Sequence, residues 1–297
     1  MKVLITGASG LIGTALQESF NDNGFEMLLA SRKEPKDATH IQWDMETGFS
    51  DAEKLEGIDA VVHLAGENVS GLRWTEDKKK AIRDSRVLGT RNIVDAISKL
   101  KSKPTVFVSS SAIGFYGERG DDEVTESSAA GDNFLAGVCR EWEAESRRAE
   151  DAGIRTVLLR TGIVLSKDGG ALGTMLLPFK LGVGGVVGSG KQWMSWISLD
   201  DHVSAINFAI ENENMRGAVN SVAPNPVTNE EFTKTLGEVL YRPTFLPLPE
   251  FVVSMAFGEM GDALLLASTK VIPKRLTDAG FDFKYPGLKG AIEHAVR

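Results

Sequence analysis

Cysteine is nearly missing from this chain. One residue in 297, Cys139, carries a thiol; that excludes an intrachain disulfide framework and suits a reducing compartment. No window approaches the roughly 20 consecutive apolar residues that a membrane helix needs. The N-terminus enters directly into the strand-like VLIT (3–6) with no charged leader before a long apolar region, so a cytoplasmic protein without a membrane partner is expected. Positive charge is scarce as well. With 33 Lys and Arg against 41 Asp and Glu, the net charge is -8, whereas nucleic-acid binding needs clustered cations; no nucleic-acid partner is expected. The one dense basic run, Lys78-Lys79-Lys80, follows Glu76 and Asp77 and reads as a solvated helix face. Four scattered histidines and one cysteine offer no metal-ligand spacing, so no metal site is expected.

Apolar residues, by contrast, make up 42% of the chain, enough for one large or two modest cores. Short branched-rich runs alternate with helical patterns: VLIT, LIGTALQESF (11–20), FEMLLA (25–30), IQW (41–43), AVVHLA (60–65), a long polar helix through Ala96, TVFVSS (105–110) and RTVLLRTGIVL (155–165). Strands apolar on both faces and separated by helices predict a parallel sheet covered on both sides, the α/β doubly wound pattern. The Gly-rich stretch 168–192 is too irregular for a βα repeat, and from Pro224 prolines and short helical patterns replace strands. WISLDDHVSAINFAI (196–210) reads as a strand end, a capped helix start and a helix returning the chain to the main sheet. The expected organisation is a sheet domain of residues 1–165 plus 196–224, with a smaller, partly interleaved C-terminal substrate domain of residues 166–195 plus 225–297.

TGASGLIG (6–13) joins the first strand to the first helix. Gly7 permits the tight turn, Gly10 lets the backbone approach a pyrophosphate, and Gly13 lets the helix pack closely on the strand. Between them stand Ser9, Leu11 and Ile12, where the helix start offers free N–H groups and a partial positive charge. After the second strand the chain reads Ser31-Arg32-Lys33, without the carboxylate that NAD-type sites present to a ribose 2′-hydroxyl. A hydroxyl and a guanidinium suit a 2′-phosphate, so NADP(H) is the expected cofactor. Asp44 could hydrogen-bond the adenine or simply face solvent. Leu64-Ala65-Gly66 ends the fourth predicted strand, where small residues let a cofactor lie across the sheet edge.

With TGASGLIG, HLAGEN and SSSAIGFYG in this order, the chain resembles the extended short-chain dehydrogenase/reductase superfamily, which contains sugar-nucleotide epimerases and dehydratases. LAGENVSGLRW, RDSRVLGTRNIV, NFLAGVCREWE, RTGIVL, GSGKQWMSWI and VIPKRLTDAGFDFKYP are similar to an atypical subgroup known only as epimerase family proteins, which pair a Rossmann-type core with a small C-terminal domain of unassigned function. The resemblance implies NADP binding at Ser31, Arg32, Leu64, Ala65, Arg86 and Val164 besides the glycine loop, and a homodimer. It implies no particular substrate.

Typical members of that superfamily use a serine to position the substrate and a tyrosine, its pKa lowered by a lysine four residues on, to move a proton. Ser111, after strand TVFV, matches the serine, though its hydroxyl could equally satisfy backbone groups at the strand end. Counting along NFLAGVCREWEAE (133–145) puts Leu135 and Cys139 at the tyrosine and lysine positions, with Glu143 as the usual glutamate. Phe134 and Val138 follow in the other register. Neither restores a proton donor. The chain's Tyr285-x-x-x-Lys289 lies in the tail as a chance match. Tyr116 could turn its hydroxyl into the pocket as a substitute acid, or pack over the loop. Glu67 and Asn68 could contact a substrate or cap the next helix. His63 reads as a satisfied core histidine and His202 as part of a helix start. Trp193 and Trp196 could line the substrate cleft with Lys191 at its rim, while Met194-Ser195 stands where sugar-nucleotide enzymes place an arginine, which argues against that substrate. The reading is an NADP(H)-binding, epimerase-like oxidoreductase of an unknown small molecule, relying on Ser111 and Tyr116. Its rival is a non-catalytic NADP(H)-binding redox sensor or regulator.

Overall fold

In a computed structural model of the protein, residues 1–71 and 73–297 are described; Leu72, inside the LAGENVSGLRW motif, lies outside them. The first half of the chain lays down β1 (Lys2–Thr6), β2 (Glu26–Ser31), β3 (His40–Asp44), β4 (Gly48–Phe49), β5 (Ala60–His63) and β6 (Val106–Ala112), with α1 (Leu11–Asp22) and α2 (Glu76–Ser98) as crossovers. Their spatial order is β4-β3-β2-β1-β5-β6, and every neighbouring pair is parallel except β3 with β4. The chain then passes β7 (Glu123–Val124) and α3 (Phe134–Asp151) to β8 (Arg155–Thr161), and later through α5 (Leu199–Glu211) to β12 (Gly217–Ser221). Between β8 and α5 lie β9 (Ile163–Leu165), α4 (Gly170–Lys180), β10 (Trp193–Met194) and β11 (Trp196–Ser198). β8 and β12 extend the sheet in parallel beyond β6 to eight strands.

Alternation along the strands decides what each face buries. Val3 and Ile5 of β1, Val62 of β5 and Val108 of β6 turn to the side covered by Leu16 and Phe20 of α1 and Val203 and Ile206 of α5. Leu4, Val61 and Phe107, one residue out of phase, face Ile93, Val94 and Ile97 of α2 and Ala149 of α3. Each such side chain contributes about 1.5–3 kcal/mol when withdrawn from water, which sets strand register along with strand identity. The sheet is therefore covered on both faces, as the unbroken apolar runs predicted.

The C-terminal part adds β13 (Val227–Thr228), α6 (Asn229–Leu240), α7 (Glu250–Phe257), α8 (Glu259–Gly261) with a π-helical turn over Asp262–Leu266, β14 (Lys270–Val271), α9 (Lys274–Asp278) and α10 (Leu288–Ala295). Thr228 and Glu231 start α6 with a reciprocal capping box. A third apolar cluster joins Leu172 and Phe179 of α4, Phe232 and Leu236 of α6 and Ile292 of α10 to Leu165 and Trp196. The C-terminal part is thus fastened to the ends of β9 and β11.

The structure departs from the sequence expectations at two places here. RTVLLRTGIVL is two strands broken at Gly162, where the backbone runs so close to Ser195 that a Cβ would lie 2.5 Å from its carbonyl oxygen, and β9 pairs with β11 instead of the main sheet. The Gly-rich stretch contains a regular helix, α4, whose apolar Leu172, Leu176 and Phe179 recur at helical spacing despite Pro178. The lysine run also differs from a free solvated face: Lys78 and Lys79 are half-buried and ion-paired with Glu67 and Glu259, and only Lys80, paired with Asp84, projects outward.

Candidate functional site

β1 delivers Gly7 into the loop at φ +71°, where a Cβ would meet the Leu64 carbonyl carbon at 2.7 Å. The loop then closes on itself: the Gly10 N–H donates to Gly7 O at 3.0 Å. On Gly13 a Cβ would stand 2.4 Å from Gly7 O, so glycine is what lets α1 seat against the strand end. Gly10 caps α1 with no side-chain hydrogen bond, and Ser9 and Gly10 are exposed while Leu11 and Ile12 are half-buried. The first-turn N–H groups of α1 thus open outward, as an anion site requires.

Beside this loop, Ser31 ends β2 with its hydroxyl donating to Lys33 O at 3.3 Å. Arg32 is exposed, and its guanidinium has no partner among the described residues. Asp44 Oδ1 accepts the N–H groups of Glu46 and Thr47, so that carboxylate caps its own turn. Leu64, Ala65 and Gly66 follow β5; the N–H of Ala65 donates to Thr6 Oγ1 at 3.3 Å. Gly66 makes room for Arg86, whose Cζ would stand 3.3 Å from a Cβ there. Arg86 donates through Nη1 to the carbonyls of Glu67 and Ile82 and lies 5.2 Å over the Trp142 ring, with burial lowering its pKa from the ordinary arginine value. Val164 lies on β9, and a Cβ added at Gly169, after that strand, would come within 3.7 Å of the Leu11 side chain. Loop, guanidinium and Gly66 shelf all meet at the carboxyl ends of the parallel strands where the crossover direction reverses, the usual place for a dinucleotide.

The expected catalytic residues lie elsewhere than the cleft. Ser111 is 3% exposed and donates to Glu143 Oε1 at 2.8 Å. Glu143 in turn holds Arg160 through Nε and Nη2 at 2.8 and 2.9 Å. Arg160 Nη1 donates to the Tyr116 hydroxyl at 3.0 Å, and that hydroxyl donates to Asn220 Oδ1 at 2.5 Å. Tyr116 is 0% exposed, and burial raises its pKa against the opposing pull of Arg160. The expectation that Tyr116 supplies an acid to the pocket is therefore corrected: its hydroxyl is a structural link, committed on both sides. The glycines around it turn it inward, Gly117 at φ +68° with Gly131 packed against its backbone.

On α3 the register is Leu135, Cys139, Glu143. A Cβ on Gly114 would lie 3.4 Å from Leu135 Cβ, and Cys139 Sγ sits 3.9 Å from Ala112 O. The thiol is 4% exposed and burial pushes its pKa up to about 11, so it behaves as packing rather than a nucleophile. His63, fully buried between Thr6 Oγ1 at 2.6 Å and Thr90 Oγ1 at 3.0 Å, is the satisfied core histidine expected. His202 sits in the first turn of α5, its Nδ1 bonded to Ser221 at 2.8 Å. Asn68 Oδ1 binds Ser70, and Glu67 is paired with Lys78 at 2.6 Å. Trp196 needs correction: it is 0% exposed in the third cluster, its indole donating to Asn225 O. Trp193 binds Asp121 at 2.8 Å under Lys270, Lys191 is exposed, and Ser195 ties β14 to β10 and β11 rather than facing a ligand. Sequence reasoning missed Arg160 and Asn220; a lone arginine in the apolar strand VLLRT was the signal for the first.

The α3 start nevertheless faces a cleft. A cavity of about 340 Å³ is lined by Trp74, Asn133, Phe134 and Leu135 on one side and by Ala263, Leu266 and Ala267 on the other. A wider groove of about 920 Å³ runs between α6 and α10, and no residue of the phosphate loop, α2 or α3 lines it. The smaller cleft is the one the catalytic helix of the superfamily would serve.

The NAD dependent epimerase/dehydratase family model matches residues 3–221, and a domain of unknown function, DUF1731, matches residues 248–295. The human epimerase family protein SDR39U1 is 39% identical over 299 residues, covering all of both chains, and Bacillus subtilis epimerase family protein YfhF is 38% identical over 301 residues, covering 100% of this chain and 98% of its own. A crystal structure of the human protein with NADPH superposes with a TM-score of 0.91 at 38% identity, over 99% of each chain. A nucleoside-diphosphate sugar epimerase from Corynebacterium glutamicum gives 0.83 at 37% identity, over 100% of this chain and 58% of that one. Glycine loop, parallel sheet and C-terminal unit together make this chain a member of the NAD dependent epimerase/dehydratase family.

Proposed function

We propose that the protein is an NADP(H)-binding, epimerase-like oxidoreductase of a small molecule that works without the Tyr-x-x-x-Lys pair. The observation that carries the reading is the exposed guanidinium of Arg32 beside an open helix start: the exposed Gly10 and a side chain with no partner among the described residues suit a pyrophosphate and a 2′-phosphate respectively. Gly7, Gly10 and Gly13, with the backbone of Ser9, Leu11 and Ile12, would hold the pyrophosphate; Ser31 and Arg32 the 2′-phosphate; Leu64, Ala65, Gly66, Arg86 and Val164 the remainder. The relative crystallised with NADPH supports this assignment. When bound, the nicotinamide supplies or receives hydride. Ser111, whose O–H is committed as a donor to Glu143, has only acceptor capacity left toward any ligand that reaches it.

A second reading, a non-catalytic redox sensor or regulator, is favoured by one observation: the hydroxyls of Ser111 and Tyr116 are both consumed inside the core. Calorimetric titration with NADPH and NADH tests the cofactor, with NADPH expected to bind at least about tenfold tighter; equal affinities would defeat the Arg32 argument. A spectrophotometric screen of carbonyl compounds then separates the two readings, since turnover excludes the sensor and silence across the screen supports it.

A further inference from the structure

The cleft at the start of α3 has a lining unlike that of a phosphate site. One wall is apolar, where Trp74 and Phe134 meet edge to face with ring centroids 5.4 Å apart and Leu135 and Leu266 flank them; the rim carries carboxylates. Among the described residues no lysine or arginine lines it. Lys79, whose ammonium lies 5.4 Å over the Phe134 ring, is ion-paired with Glu259. Four carboxylates stand at the rim, and of these Glu250 is exposed with no partner among the described residues while the other three are committed to protein groups. Glu118 accepts from the N–H groups of Gly120 and Ser268, and Asp262 accepts from the Ser254 hydroxyl. The Trp74 indole N–H is used by Val69 O.

One neutral donor remains. Asn133 caps α3 with Oδ1, accepting the Ala136 N–H at 2.9 Å, which fixes the amide's orientation and leaves Nδ2 with no partner among the described residues. The amide therefore stands one residue before Phe134 of the aromatic wall and two before Leu135, the position of the superfamily's tyrosine. An uncharged carbonyl oxygen can accept from Nδ2 while its ring lies against Phe134 and Leu135. A diphosphate would find no cation and would face the rim carboxylates.

We infer that this cleft takes an uncharged, ring-bearing carbonyl compound, with Asn133 Nδ2 donating to the carbonyl oxygen and the wall of Trp74, Phe134, Leu135 and Leu266 holding the ring, and that it does not take a nucleoside-diphosphate sugar. The inference rests on the proposed function only in treating the cleft as the substrate side.

The test is calorimetric titration of the full-length protein, free and NADPH-loaded, with cyclohexanone, 1-indanone, 2-tetralone and UDP-glucose. At least one bicyclic ketone is expected to bind about tenfold or more tightly than UDP-glucose. Asn133→Asp keeps an oxygen for the helix cap but removes the donor, and should weaken ketone binding about tenfold with NADPH affinity unchanged. Leu135→Asp, placing a charge in the apolar wall, should do the same. UDP-glucose binding as tightly as the ketones, ketone binding indifferent to both substitutions, or no ketone binding at all would each overturn the inference. Failure to bind NADPH strikes instead at the proposed function, and the titrations of the free protein still decide the ligand class.

Discussion

Replacing Glu143 by glutamine removes one charge from a pair sealed away from water. The Glu143 and Arg160 side chains are each 4% exposed and meet through two short, nearly parallel bonds. Burial works against the charge of Arg160, yet the bonds from Glu143 outweigh it and raise its pKa above the ordinary value. A glutamine offers one oxygen where the carboxylate offered two, and its NH2 would point a donor at either Arg160 or Ser111. The guanidinium would be left buried and uncompensated, a loss of about 3–5 kcal/mol. Urea unfolding at neutral pH measures it, with a fall in thermal midpoint of about 10 °C. The double variant Glu143→Leu/Arg160→Met replaces the whole pair with apolar groups and should regain most of the loss, because buried ion pairs often exchange for packing at little cost. NADPH affinity should stay within about twofold, since neither residue reaches the phosphate loop. A Glu143→Gln protein within about 0.5 kcal/mol of the parent, or a double variant no more stable than the single, would refute the reasoning.

Burial lowers the pKa of His63 to about 3, with Arg86 adding to it, and that of His202 to about 4. Both are neutral in the folded chain while the unfolded chain takes up protons below pH about 6.5. Stability should therefore be full at neutral pH and fall as pH drops from 6.5 toward 4, by about 2 kcal/mol per histidine at pH 5; urea midpoints at pH 7.5 and pH 5 check this, and a loss unchanged in His202→Gln would count against that histidine's share. Cys139 should resist a maleimide in the native protein and react fully in urea; rapid native labelling would show that α3 does not pack as described. Gly13→Ala should lower stability by more than about 2 kcal/mol and weaken NADPH binding, because its Cβ would sit 2.4 Å from Gly7 O; unaltered binding by calorimetry would mean that the loop has slack.

What was legible in the sequence was what depends on neighbours along the chain. The glycines at 7, 10 and 13 announce their uses because the turn, the helix cap and the strand contact all fall within eight residues. His63 read correctly because apolar residues flank it on its own strand. Tyr116 did not, since nothing local says which way its hydroxyl turns. The decision belongs to Asn220, 104 residues on, and Arg160, 44 residues on. Trp196 failed in the same way: its pocket is assembled from α4, α6 and α10. Lys78 and Lys79 were taken for a solvent face because Glu259, which neutralises Lys79, lies in the distant C-terminal part.

The empty positions on α3 follow a similar logic. Leu135, Cys139 and Glu143 recur every four residues and so face β6 and the turn that follows it, and each has neighbours that suit it as it is. Cys139 is pressed against Ala112 O in a slot 4% exposed, within electrostatic reach of Arg86. A lysine there would bring a second cation to a region already made costly for the first, whose own pKa is lowered by burial. Leu135 packs toward Gly114 and helps wall a cleft that no lysine or arginine lines among the described residues. Tyrosine and lysine are thus not two missing parts in an otherwise waiting frame. The cation near Cys139 is Arg86 of α2, the Asn133 side chain caps α3, and Ser111 is tied to Glu143, one turn beyond Cys139. Restoring the two lost side chains alone would meet a surround that no longer accommodates them.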